Sequence, residues 1–208
     1  NAEVALMRHF SNIYELSKII LEEAICIEKT GVILAGGKNS RMGRDKAFLE
    51  LHDKLFIEIA IEAFKNFDEL IIISNNEELY SKYDIKVYND IVKDVGPIGG
   101  IYTALEYAKY DIVTIACDMP YLNNQIVERI ANKMDDKSVI SVTNGKLQPL
   151  CSGYKKSIIN KVSLCIREND LKLRSFIDKI DKSYIYFDEE DLFLNVNTVD
   201  EYEKLTKV

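Results

Sequence analysis

The chain has 208 residues, of which 47% are hydrophobic, and a formal net charge of −7. That length suits one domain with ample material for a core, and the acidic balance excludes general nucleic-acid binding, which wants a basic excess. Apolar runs such as Ile71-Ile72-Ile73 fall far short of the ~20 residues a membrane span needs. Glu3 and Arg8 interrupt the stretch where a signal peptide would be apolar, so a cytoplasmic location is expected. Cys26, Cys117, Cys151 and Cys165 form no CxxC pair and only His9 and His52 accompany them. Free thiols are therefore expected rather than a zinc site or a disulfide framework.

In chain order, residues 1–29 read as an N-terminal helical extension, amphipathic through Ile13, Leu16, Ile20, Ala24 and Ile27. It would be a cloning or fusion remnant, or an oligomer contact, and carries no chemistry. Residues 30–208 form a single domain in which β-branched runs alternate with helical patterns. The predicted strands are Gly31–Ala35, Leu70–Ser74, Ile85–Tyr88, Ile112–Ala116, Ser138–Val142 and Tyr184–Phe187. The predicted helices are Leu55–Phe67, Ile98–Tyr110, Asn123–Lys133, Lys156–Arg167, Leu171–Ile180 and Val199–Lys207. Phe56, Ile59, Ala60, Ala63 and Phe64 repeat at i, i+3 and i+4 along one helical face. Val32-Ile33-Leu34 is apolar on consecutive positions, as in a parallel sheet covered on both faces. The expected fold class is α/β: a three-layer, Rossmann-like arrangement with a mostly parallel central sheet. Ligands bind such sheets outside the carboxyl ends of the strands. The chemistry is therefore sought in Ala35–Lys46, Ser74–Asn76, Asn89–Asp90 and Cys117–Pro120.

The strongest signal is Leu34-Ala35-Gly36-Gly37-Lys38-Asn39-Ser40-Arg41-Met42-Gly43-Arg44-Asp45-Lys46. A strand entering paired glycines lets backbone N–H groups approach a phosphate without interference from Cβ. Arg41 offers a planar donor fork and Lys46 a mobile point charge. Lys38, Arg41, Arg44 and Lys46 also concentrate positive charge in an acidic chain. Asn39 after Gly37-Lys38 rules out a Walker A loop, and the glycine spacing rules out the dinucleotide fingerprint. The second signal is Cys117-Asp118-Met119-Pro120, where an apolar strand ends on one carboxylate. Mg²⁺ takes one or two carboxylates plus substrate phosphates; a helix cap is the competing role for Asp118. The third is Gly96-Pro97-Ile98-Gly99-Gly100, a turn opening a helix that permits close approach of a ring. Asn195 and Asn197 alternate along an extended stretch and project to one face, with turn or core roles as the alternative.

Taken together, these residues resemble the molybdenum cofactor guanylyltransferases. The first segment matches their L-A-G-G-x-x-x-R-M-G-x-D-K signature at every fixed position. Cys117–Pro120 matches their C-D-x-P, and Gly96–Gly100 resembles their G-P-L-x-G. The resemblance spans about residues 30–205. It implies that Leu34, Ala35, Gly36, Gly37, Lys46, Asn75, Asp90, Gly96, Pro97, Gly99 and Asp118 bind the nucleotide. Asp90 would accept from guanine N1–H and the 2-amino group. Lys46, Arg41 and Asp118 would be catalytic, with Asp118 holding Mg²⁺. Gln148, Pro149 and Tyr154 resemble Q-P-L-x-x-x-Y, and Asn195 and Asn197 resemble N-x-N-T-P-x-D, both on the acceptor side, with Arg174 on the acceptor phosphate. Val199 stands where the second motif has proline, a replaceable first helical position.

The implied reaction is Mg²⁺-dependent transfer of GMP from GTP to the terminal phosphate of molybdopterin, releasing pyrophosphate. The implied partners are GTP, the molybdopterin acceptor and proteins of molybdenum cofactor biosynthesis or target molybdoenzymes. A phosphate acceptor, anionic near neutral pH, needs no general base, which agrees with the lack of any Ser-His-Asp set. The rival readings are a molybdopterin cytidylyltransferase, a sugar-phosphate nucleotidyltransferase, a non-catalytic nucleotide-binding module and a hydride-transferring enzyme.

Overall fold

In a computed structural model, residues 26–36 and 45–206 are described. The eight-stranded sheet runs in the order β10-β7-β9-β6-β1-β4-β5, with β8 paired to β7. Its strands are β1 (Ile27–Leu34), β4 (Phe67–Ile73), β5 (Lys86–Tyr88), β6 (Ile112–Ala116), β7 (Ser138–Thr143), β8 (Lys146–Leu147), β9 (Ser152–Tyr154) and β10 (Lys182–Phe187). A separate hairpin joins β2 (Glu50–Leu51) to β3 (Lys54–Leu55). The helices are α1 (Phe56–Ala63), α2 (Pro97–Tyr107), α3 (Asn124–Lys133), α4 (Ile159–Arg167), α5 (Leu173–Lys179) and α6 (Val199–Thr206). Among the described residues no helix is long and apolar enough to cross a membrane.

The centre of the sheet explains the unbroken apolar runs. β1 pairs in parallel with β4 on one side and β6 on the other, Ile33 standing opposite Ile72 and Ile115. Val32 and Ile33 are fully buried yet belong to different core clusters, because successive side chains leave opposite faces of a strand. One cluster lies under α1 and α3, the other under α2, α4 and α5. Each such side chain contributes roughly 1.5–3 kcal/mol of hydrophobic stabilisation. The three-layer α/β reading therefore holds.

The helix starts follow from their caps. Asn123 accepts from the Ile126 N–H at 3.3 Å, and α3 then buries Ile126, Val127, Ile130 and Ala131 on one face. At α2, Gly96 adopts φ +71°, a conformation glycine takes without Cβ strain, and Pro97 supplies the first helical residue. α1 stops at Ala63, short of the predicted Phe67, because Phe67 is already the first residue of β4.

Two sequence expectations are corrected. β1 starts at Ile27, so residues 27–29 are strand and not the end of a helical extension. The remainder of that extension lies outside the described residues. The sheet also contains β9, which was not predicted and runs antiparallel between β6 and β7.

Candidate active site

All parallel strands discharge at one edge, where Leu34 ends β1. The Leu34 carbonyl accepts from the Cys117 N–H at 3.1 Å on the β6 side, and the Ala35 N–H donates to the Ile73 carbonyl at 2.9 Å on the β4 side. The chain leaving β1 is thus fixed between two strand ends, and a group of predicted residues gathers on each side.

On the β4 side stand Gly36, Asn75, Asp90 and the start of α2. Asn75 and Asp90 form a reciprocal pair. The Asn75 side-chain amide donates to Asp90 Oδ2 at 2.9 Å, and the Asp90 backbone N–H donates to Asn75 Oδ1 at 3.1 Å. A Cβ placed on Gly36 would lie 3.8 Å from Asp90 Oδ2, and one on Gly100 3.9 Å from Asp90 Oδ1. The half-exposed carboxylate therefore sits between two residues without side chains. A carboxylate has about four lone-pair sites, so the bond from Asn75 fixes it and leaves acceptors for a ligand. Gly99 has a packing reason of its own to be bare. A Cβ there would lie 2.7 Å from Val95 Cγ2 and 3.1 Å from the Val92 carbonyl, so its bareness serves the packing of the 92–96 loop. Gly96 and Pro97 are exposed at the mouth of the same turn.

The β6 side brings together residues far apart in sequence. Lys46 opens a short 3-10 helix, Lys46–Phe48, capped by Asp45, whose carboxylate accepts from the Ala47 N–H at 3.1 Å. The Lys46 ammonium donates to Asp118 Oδ2 at 3.1 Å and to Asn197 Oδ1 at 2.8 Å. About a fifth of each side chain of the Lys46–Asp118 pair is exposed (21% and 20%), so the pair is reachable but shielded. The third member is delivered by the end of the chain. Val196, 2% exposed, is buried against Leu49, Leu51 and Phe56, and its N–H donates to the Asp118 carbonyl at 2.9 Å. On α6, the Tyr202 hydroxyl donates to the Glu50 carbonyl at 2.8 Å and ties that helix to the β2–β3 hairpin. Asn197 and Asp118 are therefore held by backbone as well as by side chain.

Glu201 was not among the predicted site residues and belongs with them. Its Oε2 accepts from the N–H groups of Asn197 (2.6 Å) and Thr198 (3.0 Å), while Thr198 Oγ1 accepts from the Glu201 N–H at 3.2 Å. This is a capping box, and Thr198-x-x-Glu201 is its sequence signature. Those backbone N–H groups, the Asn197 one first, hold the Glu201 carboxyl below the usual carboxylate range, with Lys46 adding to the effect. The box is thus fully formed at neutral pH and is lost only as pH falls through that lowered pKa.

Burial pushes the Cys117 thiol well above its usual range, and the neighbouring Asp118 and Asp45 push it further. Buried among the core side chains, the motif's cysteine is a packing residue.

The acceptor-side expectations fare unevenly. Gln148 and Pro149, both half-buried, form the turn between β8 and β9, fixed by the Gln148 N–H donating to the Ser141 carbonyl at 2.8 Å. Tyr154 is fully buried, its ring tilted on Phe176 and its hydroxyl donating to the Pro149 carbonyl at 2.7 Å. It cannot touch an acceptor and instead holds that turn from beneath, which corrects the binding role. Asn195 is exposed beside Val196. Arg174 is exposed in the first turn of α5, and no hydrogen bond among the described residues joins it to the Lys46 group. Gly37 and Arg41 lie outside the described residues.

Comparison with known proteins places the whole domain. Residues 31–183 match the MobA-like NTP transferase domain. The chain belongs to this family. It is 41% identical over 198 residues to a Clostridium perfringens relative named "Probable molybdenum cofactor guanylyltransferase", covering 87% of this chain and 98% of that one. A "Molybdenum cofactor guanylyltransferase" of Vibrio parahaemolyticus is 36% identical over 178 residues, covering 82% and 91%. Among solved structures, molybdopterin-guanine dinucleotide biosynthesis protein A from Archaeoglobus fulgidus superposes with a TM-score of 0.74 at 25% identity, over 86% of this chain and 97% of that one. As a MobA-like NTP transferase the chain is a nucleotidyltransferase.

Proposed function

We propose that the chain is a molybdenum cofactor guanylyltransferase: it transfers GMP from GTP to the terminal phosphate of molybdopterin and releases pyrophosphate. The observation that carries this reading is the convergence of Lys46, Asp118 and Asn197 at the carboxyl edge, beside the Asn75–Asp90 pair. One group suits the phosphates and the other the base.

The chemistry asks for little covalent machinery. The acceptor phosphate is already anionic, and the difficulty is bringing two anions together while charge moves onto pyrophosphate. Lys46 supplies a positive charge that Asn197 and Asp118 point in advance, so little reorganisation remains in the transition state. A single partly exposed carboxylate at a strand end is a donor set that fits Mg²⁺, which takes its other ligands from phosphates and water; Asp118 would hold it. When bound, Mg²⁺ would neutralise charge on the reacting phosphates. Asp90, fixed by Asn75, would accept from guanine N1–H and the 2-amino group, a pairing adenine cannot make. Asn195 and Asn197 remain the proposed acceptor contacts, with Gln148 and Pro149 at the rim.

The deciding experiment measures pyrophosphate release with GTP, CTP and ATP, each with and without molybdopterin, in Mg²⁺. Release is expected only with GTP and acceptor together. Asp90→Asn replaces one carboxylate oxygen by a donor and should cut the GTP preference by about 10- to 100-fold, the scale of 1–3 kcal/mol for a discriminating contact. Equal use of CTP by the parent enzyme would retain nucleotidyl transfer but discard guanine reading at Asp90.

Glu201 acts through Asn197 and is a positioning residue. Glu201→Ala should lower kcat by about 10- to 100-fold, as a small misplacement near the chemistry does, with little change in KM for GTP. Glu201→Gln keeps an acceptor for the box and should restore most of the rate. Equal loss in both variants would refute positioning through the cap.

A further inference from the structure

The two edges of the sheet are built differently. β5 at one end is only Lys86–Tyr88 and carries a lysine, a short and charged edge that discourages pairing. β10 at the other end runs for six residues, Lys182-Ser183-Tyr184-Ile185-Tyr186-Phe187, pairs in regular parallel register with β7, and has no further neighbour among the described strands. After Lys182 its remaining five residues contain no charge, proline or bulge, and Tyr184 and Tyr186 are 38% and 67% exposed on the same face. An unblunted, aromatic, six-residue edge is a template for another strand.

The charges at its ends indicate which strand. Lys182 precedes the uncharged segment and Asp188 follows it. Glu189 is paired with Arg129 at 2.9 Å and Glu190 with the Asn144 amide at 3.2 Å. For the Asp188 carboxylate no partner is found among the described residues. The Lys182 ammonium reaches the Ile180 carbonyl of its own chain at 3.4 Å. We propose that β10 pairs antiparallel with β10 of a second copy of this chain, about a two-fold axis through Ile185. In that register Lys182 of each copy stands opposite Asp188 of the other, and Tyr184 opposite Tyr186. Opposite residues of an antiparallel pair share a face, so both tyrosine pairs and both ion pairs lie on one side. The two sheets become one of sixteen strands, twice eight. Because the strands of the two halves then run in opposite directions, their carboxyl edges face away from each other. Each Lys46–Asp118 site stays open, and the dimer does not depend on the reading of function given above.

The test is oligomeric state by light scattering and sedimentation across a concentration series. The full chain should dimerise with a dissociation constant on the order of 10 µM, the weak end expected of a narrow interface. Lys182→Asp sets like charges opposite each other twice, and Asp188→Lys does the same with the other sign. Each variant alone should weaken dimerisation by about tenfold or more. Combined in one chain, the two substitutions should restore it. Mixing the two single variants should give a heterodimer, since every facing pair is then opposite in charge. Circular dichroism checks that each variant is folded, and a misfolded pair would be replaced by Tyr186→Ser, which removes the aromatic pairs and should also give monomers. A monomeric parent chain overturns the proposal. So does a dimer indifferent to these substitutions, since residues 1–25 or another surface would then make the contact.

Discussion

Asp118→Ala should reduce kcat by at least about 10³-fold while the protein stays folded and still binds GTP. The size follows from its place: it is the carboxylate at the end of β6, a fifth exposed and in contact with Lys46. A metal held there would be worth several kcal/mol of transition-state stabilisation, at about 1.4 kcal/mol per factor of ten. Stability should hardly change. Partly exposed ion pairs contribute about 0–1 kcal/mol, and the backbone bond from the Val196 N–H to the Asp118 carbonyl survives the substitution. Asp118→Asn is the sharper variant, since it keeps the shape and a partner for Lys46 but loses the charge a divalent cation needs. Single-turnover kinetics in Mg²⁺, with GTP affinity measured separately, are the check. Turnover within tenfold of the parent would remove Asp118 from the chemistry and leave it as a tether for Lys46.

Asp118 and Lys46 were legible in the sequence because their neighbours constrain them. A fully buried strand that ends in a single carboxylate before proline left two roles, metal ligand or helix cap, and the glycine-containing segment closed by Lys46 favoured the first. Asn75 and Asp90 were legible only as separate positions; their reciprocal bonding depends on β4 and β5 pairing in register, Ile73 opposite Tyr88. Several features stayed hidden for identifiable reasons. Tyr154 looked like a ligand contact because a tyrosine in a motif reads the same whether its ring faces solvent or core. Its full burial follows from β9 lying between two longer strands. β9 is itself three residues long, and at Gly153 a Cβ would strike the Met134 side chain, so its main determinant is tertiary packing. Both tight hairpins were missed. Asn144-Gly145 takes φ of 47° and 69°, and His52-Asp53 takes 50° and 62°, the left-handed pairs that two-residue turns require. The first has the common Asn-Gly signature and could have been read; the second has none. Glu201 was likewise within reach through the T-x-x-E spacing, but its link to Lys46 spans the whole domain.

Lys46→Ala should lower kcat by about 10²- to 10³-fold, the cost of removing one preorganised donor from a developing charge, with a smaller rise in KM. The split matters because a charge that only anchors the substrate would raise KM and spare kcat. The structure argues for the first outcome. Two acceptors, Asp118 and Asn197, hold the ammonium in place, and Asn197 is fixed in turn by Glu201. Lys46→Arg should not rescue the rate, since a planar fork cannot replace a compact ammonium between these two oxygens. Lys46 and Asp118 share one contact, so their losses should not add. The double variant is expected to be about as slow as Asp118→Ala alone, as for residues that act as a unit. Fully additive losses would mean that the two groups act at separate points, and the ion pair between them would then be incidental to catalysis.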